Sequence, residues 1–148
     1  SSSPMKLVHP PVALMFHEGA PRLAAAGVDI PGLARGDRSR IALETYPGLL
    51  ARAIVGRISY KNDAPSKQTP QRAAARRQIA NALARARHRL GLRVTFASNA
   101  LATSAVADAS GDTLDAVLCA VQAAWAAPRR NYGLAERVPR CEGWIVSA

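Results

Sequence analysis

The chain has 148 residues, enough for one ordinary domain with its own core; it is 49% hydrophobic but only 5% aromatic, so that core must be built from Ala, Leu, Val and Ile. Twenty basic against ten acidic residues give a formal net charge of +10, which suits a phosphate-rich partner and equally suits a chain from an arginine-rich proteome, since charge governs association rather than fold. No apolar run is long enough to span a membrane, and Cys119 and Cys141 lack the paired spacing of a zinc site or a disulfide framework, so a reducing cytoplasm is the expected location.

Residues 1–10 hold no signal-peptide apolar region and read as a disordered leader or an expression remnant; a single α/β domain is expected over 11–148. Residues 12–16 form a short apolar run, suited to a buried strand or to the first turns of a helix. A short helix over 18–26 follows, closed by Gly27 and a turn-rich connection. Residues 39–46 give the best strand of the chain, nearly continuous in apolar character as an internal strand would be. Glu44 falls at its C-terminal end, where α/β sheets usually bind ligands.

Pro47 is placed to open a helix with Leu49, Leu50, Ala53 and Ile54 on its apolar face, ended by Gly56. A long polar connection over 57–69 then carries Arg57, Tyr60, Lys61 and Lys67. Such a segment is either a solvated loop or one that grips a nucleic-acid backbone and stacks a base on its tyrosine. Thr69 and Pro70 start the longest helix, expected to reach about Leu90, with arginines spread around its surface. A short strand over 92–97, a short helix over 99–107 and a terminal strand over 142–146 complete the alternation.

The clearest helix begins near Asp112. Leu114, Val117, Leu118, Val121 and Trp125 mark one buried stripe, and Pro128 follows its end. Ser110 or Asp112 is suited to cap its start. Asp112 and Asp115 stand about 60° apart on one flank of the stripe. Acids at a helix start are commonly caps that also favour the helix dipole. Together with a carboxylate at a strand end, they equally have the chemistry to hold Mg²⁺ or Mn²⁺, hard cations that cleave phosphodiesters by activating water.

Three blocks, residues 42–48 around Glu44, residues 59–63 around Lys61 and residues 110–120 around Asp112 and Asp115, occur in an order and spacing that resemble an uncharacterised bacterial family of predicted nucleases with a ribonuclease H-like fold. The terminal Glu142-Gly143-Trp144-Ile145 is similar to that family's ending. The resemblance implies an α/β, ribonuclease H-like fold with a mixed sheet flanked by helices. It implies a metal-dependent nuclease in which Glu44, Asp112 and Asp115 are catalytic and hold Mg or Mn, with Arg57, Tyr60, Lys61 and Lys67 toward nucleic acid. The family opens on a strand reading Gly-Val-Asp-Gly that supplies a first aspartate. Gly27-Val28-Asp29 repeats three of those letters but follows a helix rather than an apolar run, and reads as a decoy. The chain therefore corresponds to the C-terminal part of the family's domain. An incomplete sheet would expose an edge and favour homodimers. Two non-catalytic roles stand beside the nuclease: a nucleic-acid binder without a complete acid set, and a structural or assembly protein whose acids are caps.

Overall fold

The computed structural model describes residues 12–138 and 144–147. Among them the chain is mixed α/β, with five α-helices and one two-stranded parallel sheet. The expected leader over 1–10 and Cys141 lie outside the described residues.

The two segments expected at the start are one helix, α1 (Val12–Ala25), which runs through Gly19 and Pro21. It is followed by β1 (Val28–Asp29) and β2 (Asp37–Ile41), which pair in parallel with Val28 opposite Asp37 and Asp29 opposite Ile41. Gly27-Val28-Asp29, expected as a decoy because it follows a helix, does follow α1, and Val28 and Asp29 form a strand of two residues. The Asp29 carboxylate accepts the Gly36 N–H at 3.0 Å, so it closes the connecting turn. The strand expected over 39–46 is displaced. Asp37, Arg38, Ser39 and Arg40 are exposed, and the ladder stops at Ile41. A strand largely exposed does not need an apolar sequence; after Ile41 and the Ala42 N–H, which donates to Asp29 O, the chain leaves the ladder. Glu44 consequently sits on irregular, exposed backbone beyond the strand.

Helices carry the core. Pro47 opens α2 (Pro47–Val55), which buries Leu50, Ala51 and Val55 while Ala53 stays exposed. The polar connection contains one 3₁₀ turn, Pro65–Lys67. Thr69 caps α3 (Pro70–Ala84) by accepting the Arg72 N–H, as its position before Pro70 requires. The helix ends six residues before the expected Leu90. Ala86 adopts φ 53°, Ala86 N–H donates to Leu83 O and Arg87 N–H to Ala82 O. That pair of bonds is a Schellman ending, here with alanine in the left-handed position usually given to glycine. No strand forms over 92–97: Leu92 and Val94 pack their side chains on the core outside any ladder, and the Val94 N–H donates to Leu83 O at 3.1 Å.

α4 (Asn99–Ala107) is capped by Ser98, and α5 (Asp112–Ala126) carries the central stripe. Leu50, Ile79, Leu83, Leu114 and Leu118 are wholly buried in one cluster between α2, α3 and α5. Each side chain of this kind contributes about 1.5 to 3 kcal/mol when removed from water. Of the terminal strand, residues 142 and 143 lie outside the described residues, residues 144 and 145 are irregular, and residues 146 and 147 form a turn. They are nevertheless fixed: Val146 is fully buried and its N–H donates to Glu44 O at 2.9 Å, Gln122 donates to the Ser147 hydroxyl, and Arg89 donates to Ser147 O.

Candidate functional site

The loop after α2 is fastened to the end of α4 and the start of α5 by several attachments. Asn62 N–H donates to Ala109 O at 3.1 Å. The Lys61 side chain lies across Gly111, where a Cβ would come within 2.7 Å of the Lys61 Cβ. Gly111 also has φ +77°, a left-handed conformation that side-chain-bearing residues seldom adopt. The third attachment is Arg76, which projects from α3 and is almost fully buried. It donates from Nε to Val106 O at 2.7 Å and from Nη1 to Tyr60 O at 2.9 Å. Val106 lies in the last turn of α4, whose exposed carbonyls and dipole favour a cation. A buried guanidinium thus ties the end of α4 to the loop without any carboxylate.

The cap of α5 differs from the one expected. Asp108, just past α4, accepts the Thr113 N–H through Oδ2 at 2.9 Å and takes the Ser110 hydroxyl and N–H through Oδ1 at 2.6 and 3.1 Å. The Ser110 hydroxyl bond, followed by the Thr113 N–H, holds its carboxyl well below the usual carboxylate range. Ser110 assists by accepting the Asp112 N–H at 3.4 Å. Because Asp108 serves as the main cap, the half-buried Asp115 is left free for other contacts.

Asp115 faces the loop. Its Oδ1 accepts the Tyr60 hydroxyl at 2.5 Å and its Oδ2 accepts the Lys61 ammonium at 2.5 Å. Two adjacent loop residues therefore grip the two oxygens of one carboxylate. Tyr60 is buried, and burial together with the Asp115 hydrogen bond pushes its phenol far above the ordinary tyrosine value. For Lys61, partial burial opposes the charge, but the hydrogen bond and charge of Asp115 outweigh it, and its ammonium titrates above the usual lysine value.

This triad lies at one side of a cleft of about 550 Å³ between α2 and the loop, lined also by Tyr46, Arg52, Arg57 and Ser59. A second depression of about 460 Å³ shares Arg57, Ile58 and Ser59 with it and adds Arg72. Arg57 thus lines both depressions, with Arg52 and Lys61 in the first and Arg72 in the second. Of the residues expected from sequence, Arg57, Tyr60, Lys61 and Asp115 come together here. Tyr60 is spent on Asp115 and presents no ring to a base. Lys67 is exposed on the 3₁₀ turn, outside both depressions, and Glu44 and the exposed Asp112 line neither. Arg52, Arg76 and Tyr46 were not singled out in the sequence, although Arg76 keeps helical register with the buried Ile79 and Leu83.

Among the described residues Asp115 is the one carboxylate lining the cleft, and no group of three His, Cys, Asp or Glu side chains is gathered for a metal. The donor set does not form a protein cage for Mg²⁺ or Mn²⁺. The other manner in which Mg²⁺ is bound, through one carboxylate together with phosphate oxygens of a substrate, would require the ion to displace Lys61 or Tyr60 from Asp115. Compared with models of protein families, with curated proteins and with solved structures, the chain matches none. Among the described residues no helix is long and apolar enough to cross a membrane.

Proposed function

We propose that the chain is a nucleic-acid-binding domain of ribonuclease H-like type, whose cleft grips a phosphodiester backbone. The observation that carries this reading is the convergence of Arg52, Arg57 and Lys61 on one cleft, with Arg72 in a second depression that shares Arg57. Guanidinium groups suit phosphate oxygens through their planar, multiple donors. Gly111 seats the Lys61 stem and Asp115 pairs with its ammonium, so this cation is held in place rather than left on a mobile side chain. The net charge of +10 supplies long-range attraction for a polyanion. The test is fluorescence anisotropy with a labelled oligonucleotide. Three backbone contacts to a single strand predict a loss of about 20-fold in affinity between roughly 50 and 200 mM salt. Replacing Arg57 by Ala should make that salt dependence shallower. No binding at low salt would remove the reading.

A second reading, metal-dependent phosphodiester hydrolysis, is favoured by Asp115 at the cleft, together with the resemblance of the blocks around Glu44, Lys61 and Asp112. Asp115 would be the ligand to Mg²⁺ or Mn²⁺ arriving with the backbone, and the ion would supply an activated water and charge stabilisation. Lys61 would exchange the carboxylate for a phosphate oxygen. Cleavage of labelled RNA or DNA that requires the metal and disappears in Asp115→Asn supports this reading. Binding without cleavage at any metal concentration leaves the first reading alone.

A further inference from the structure

The cleft pairs its cations with one exposed aromatic ring. Tyr46 is 39% exposed, and its ring lies against Gly48, where a Cβ would come within 2.9 Å of the Tyr46 Cζ. Its backbone is extended (φ −134°, ψ 100°), as the following Pro47 requires. The tyrosine therefore sits on a stiff dipeptide at the start of α2, backed by bare backbone, with ring surface open to the cleft. Tyr60, the other tyrosine of the cleft, is buried with its hydroxyl committed to Asp115. A volume of about 550 Å³ falls within the range of about 300 to 1,000 Å³ typical of pockets for small ligands. It suits a few nucleotides of a flexible strand better than the broad cylinder of a duplex, whose base faces are hidden in its own stack.

We infer that the cleft takes single-stranded nucleic acid, with one base stacked on Tyr46 and the flanking phosphates on Arg52, Arg57 and Lys61. This rests on the backbone-binding reading above and adds the strand state and the stacking residue. An aromatic platform beside a cationic groove is a sequence-tolerant way to hold single strands, because every base presents a π-face.

The test compares three fluorescein-labelled probes at low salt: a short single-stranded oligonucleotide, an abasic phosphodiester chain of the same length, and the blunt duplex. The single strand should bind about 5-fold or more tightly than the abasic chain, and more tightly than the duplex. Tyr46→Ala should bring the single strand down to the abasic level and leave abasic binding unchanged. Tyr46→Phe, which keeps the ring, should retain the preference, and unchanged far-ultraviolet circular dichroism would show that both variants fold. An abasic chain that binds as well as the oligonucleotide, a Tyr46→Ala protein that loses nothing, or a preference for duplex would each overturn the stacking inference while leaving the backbone reading in place. Failure of every probe to bind would overturn both.

Discussion

α1 and α5 are both helices of fourteen to fifteen residues with apolar positions at helical spacing, and they end in opposite situations. In α5, Leu114 and Leu118 are wholly buried against α2 and α3. In α1, Leu14, Met15, Phe16 and Leu23 are all exposed, and Phe16 keeps 69% of its surface in water. The strands after α1 are largely exposed too. An apolar stripe therefore does not bury a helix by itself; a second stripe must be placed across from it. The four helices from α2 to α5 supply one another with such partners, and the site loop is fastened inside that set by Arg76, Gly111 and Asp115. Substitutions on the two sides of this divide should differ by several-fold in their effect on stability.

Among the attachments of the site loop, the largest effect is expected at Arg76. Its removal leaves the carbonyls of Tyr60 and Val106 without their donor in a region closed to water. Arg76→Ala should destabilise the fold by about 3 kcal/mol in urea denaturation. Arg76→Lys should recover only part of this, because one ammonium cannot reproduce two donors spread across a guanidinium plane. A loss below about 1 kcal/mol would show that the loop is held by its other contacts.

Gly111→Ala comes next. The new methyl group meets Lys61 at 2.7 Å, and the backbone must keep φ near +77°. The left-handed conformation alone costs about 1 to 2 kcal/mol for a residue with a Cβ. The variant should also lose affinity for nucleic acid, since the Lys61 stem is displaced from its seat. If stability falls but the salt dependence of binding does not change, Lys61 is not a backbone contact.

These two positions also mark what could and could not be read from the chain. The stripe of α5, Pro47 at the start of α2 and the Thr69 cap were legible because each depends on residues within a turn or two. The grip of Tyr60 and Lys61 on Asp115 spans 54 and 55 positions, and no local periodicity reports it. Arg76 was hidden among the arginines of α3 because its partners are backbone carbonyls, which leave no mark in a sequence. The strand expected over 39–46 failed for a related reason. An apolar run shows that residues prefer burial, but here Leu43 and its neighbours find partial cover without a ladder, with Glu44 O taking the Val146 N–H instead.

A smaller effect, dependent on pH, is expected at Asp108. Its carboxyl is held below the ordinary value near 3.8 by the Ser110 and Thr113 bonds. A depressed folded-state pKa means that its contribution is complete above about pH 4 and is lost as the pH falls toward the folded-state value. Asp108→Ala should cost about 1 kcal/mol at neutral pH, the usual loss for a helix cap, and no more than that because the group is well solvated. The gap between variant and parent should narrow progressively as the pH falls below about 4. A gap that persists in acid would mean that the Asp108 contacts act through shape rather than charge.

The smallest effect is expected at Phe16, and it tests the divide most directly. Phe16 loses little contact with water when the chain folds, so replacing it with Ser should change stability by less than about 0.5 kcal/mol, as at other exposed positions. The equivalent change at Leu118, wholly buried between α2 and α5, should cost at least about 3 kcal/mol through the lost transfer energy, the cavity and the buried hydroxyl. Urea denaturation of both variants at two protein concentrations reads the comparison. A Phe16→Ser loss that grows with protein concentration would mean that α1 is covered by a second copy of the chain. A loss independent of concentration would mean that α1 folds back on its own domain, and either result would erase the contrast between α1 and α5.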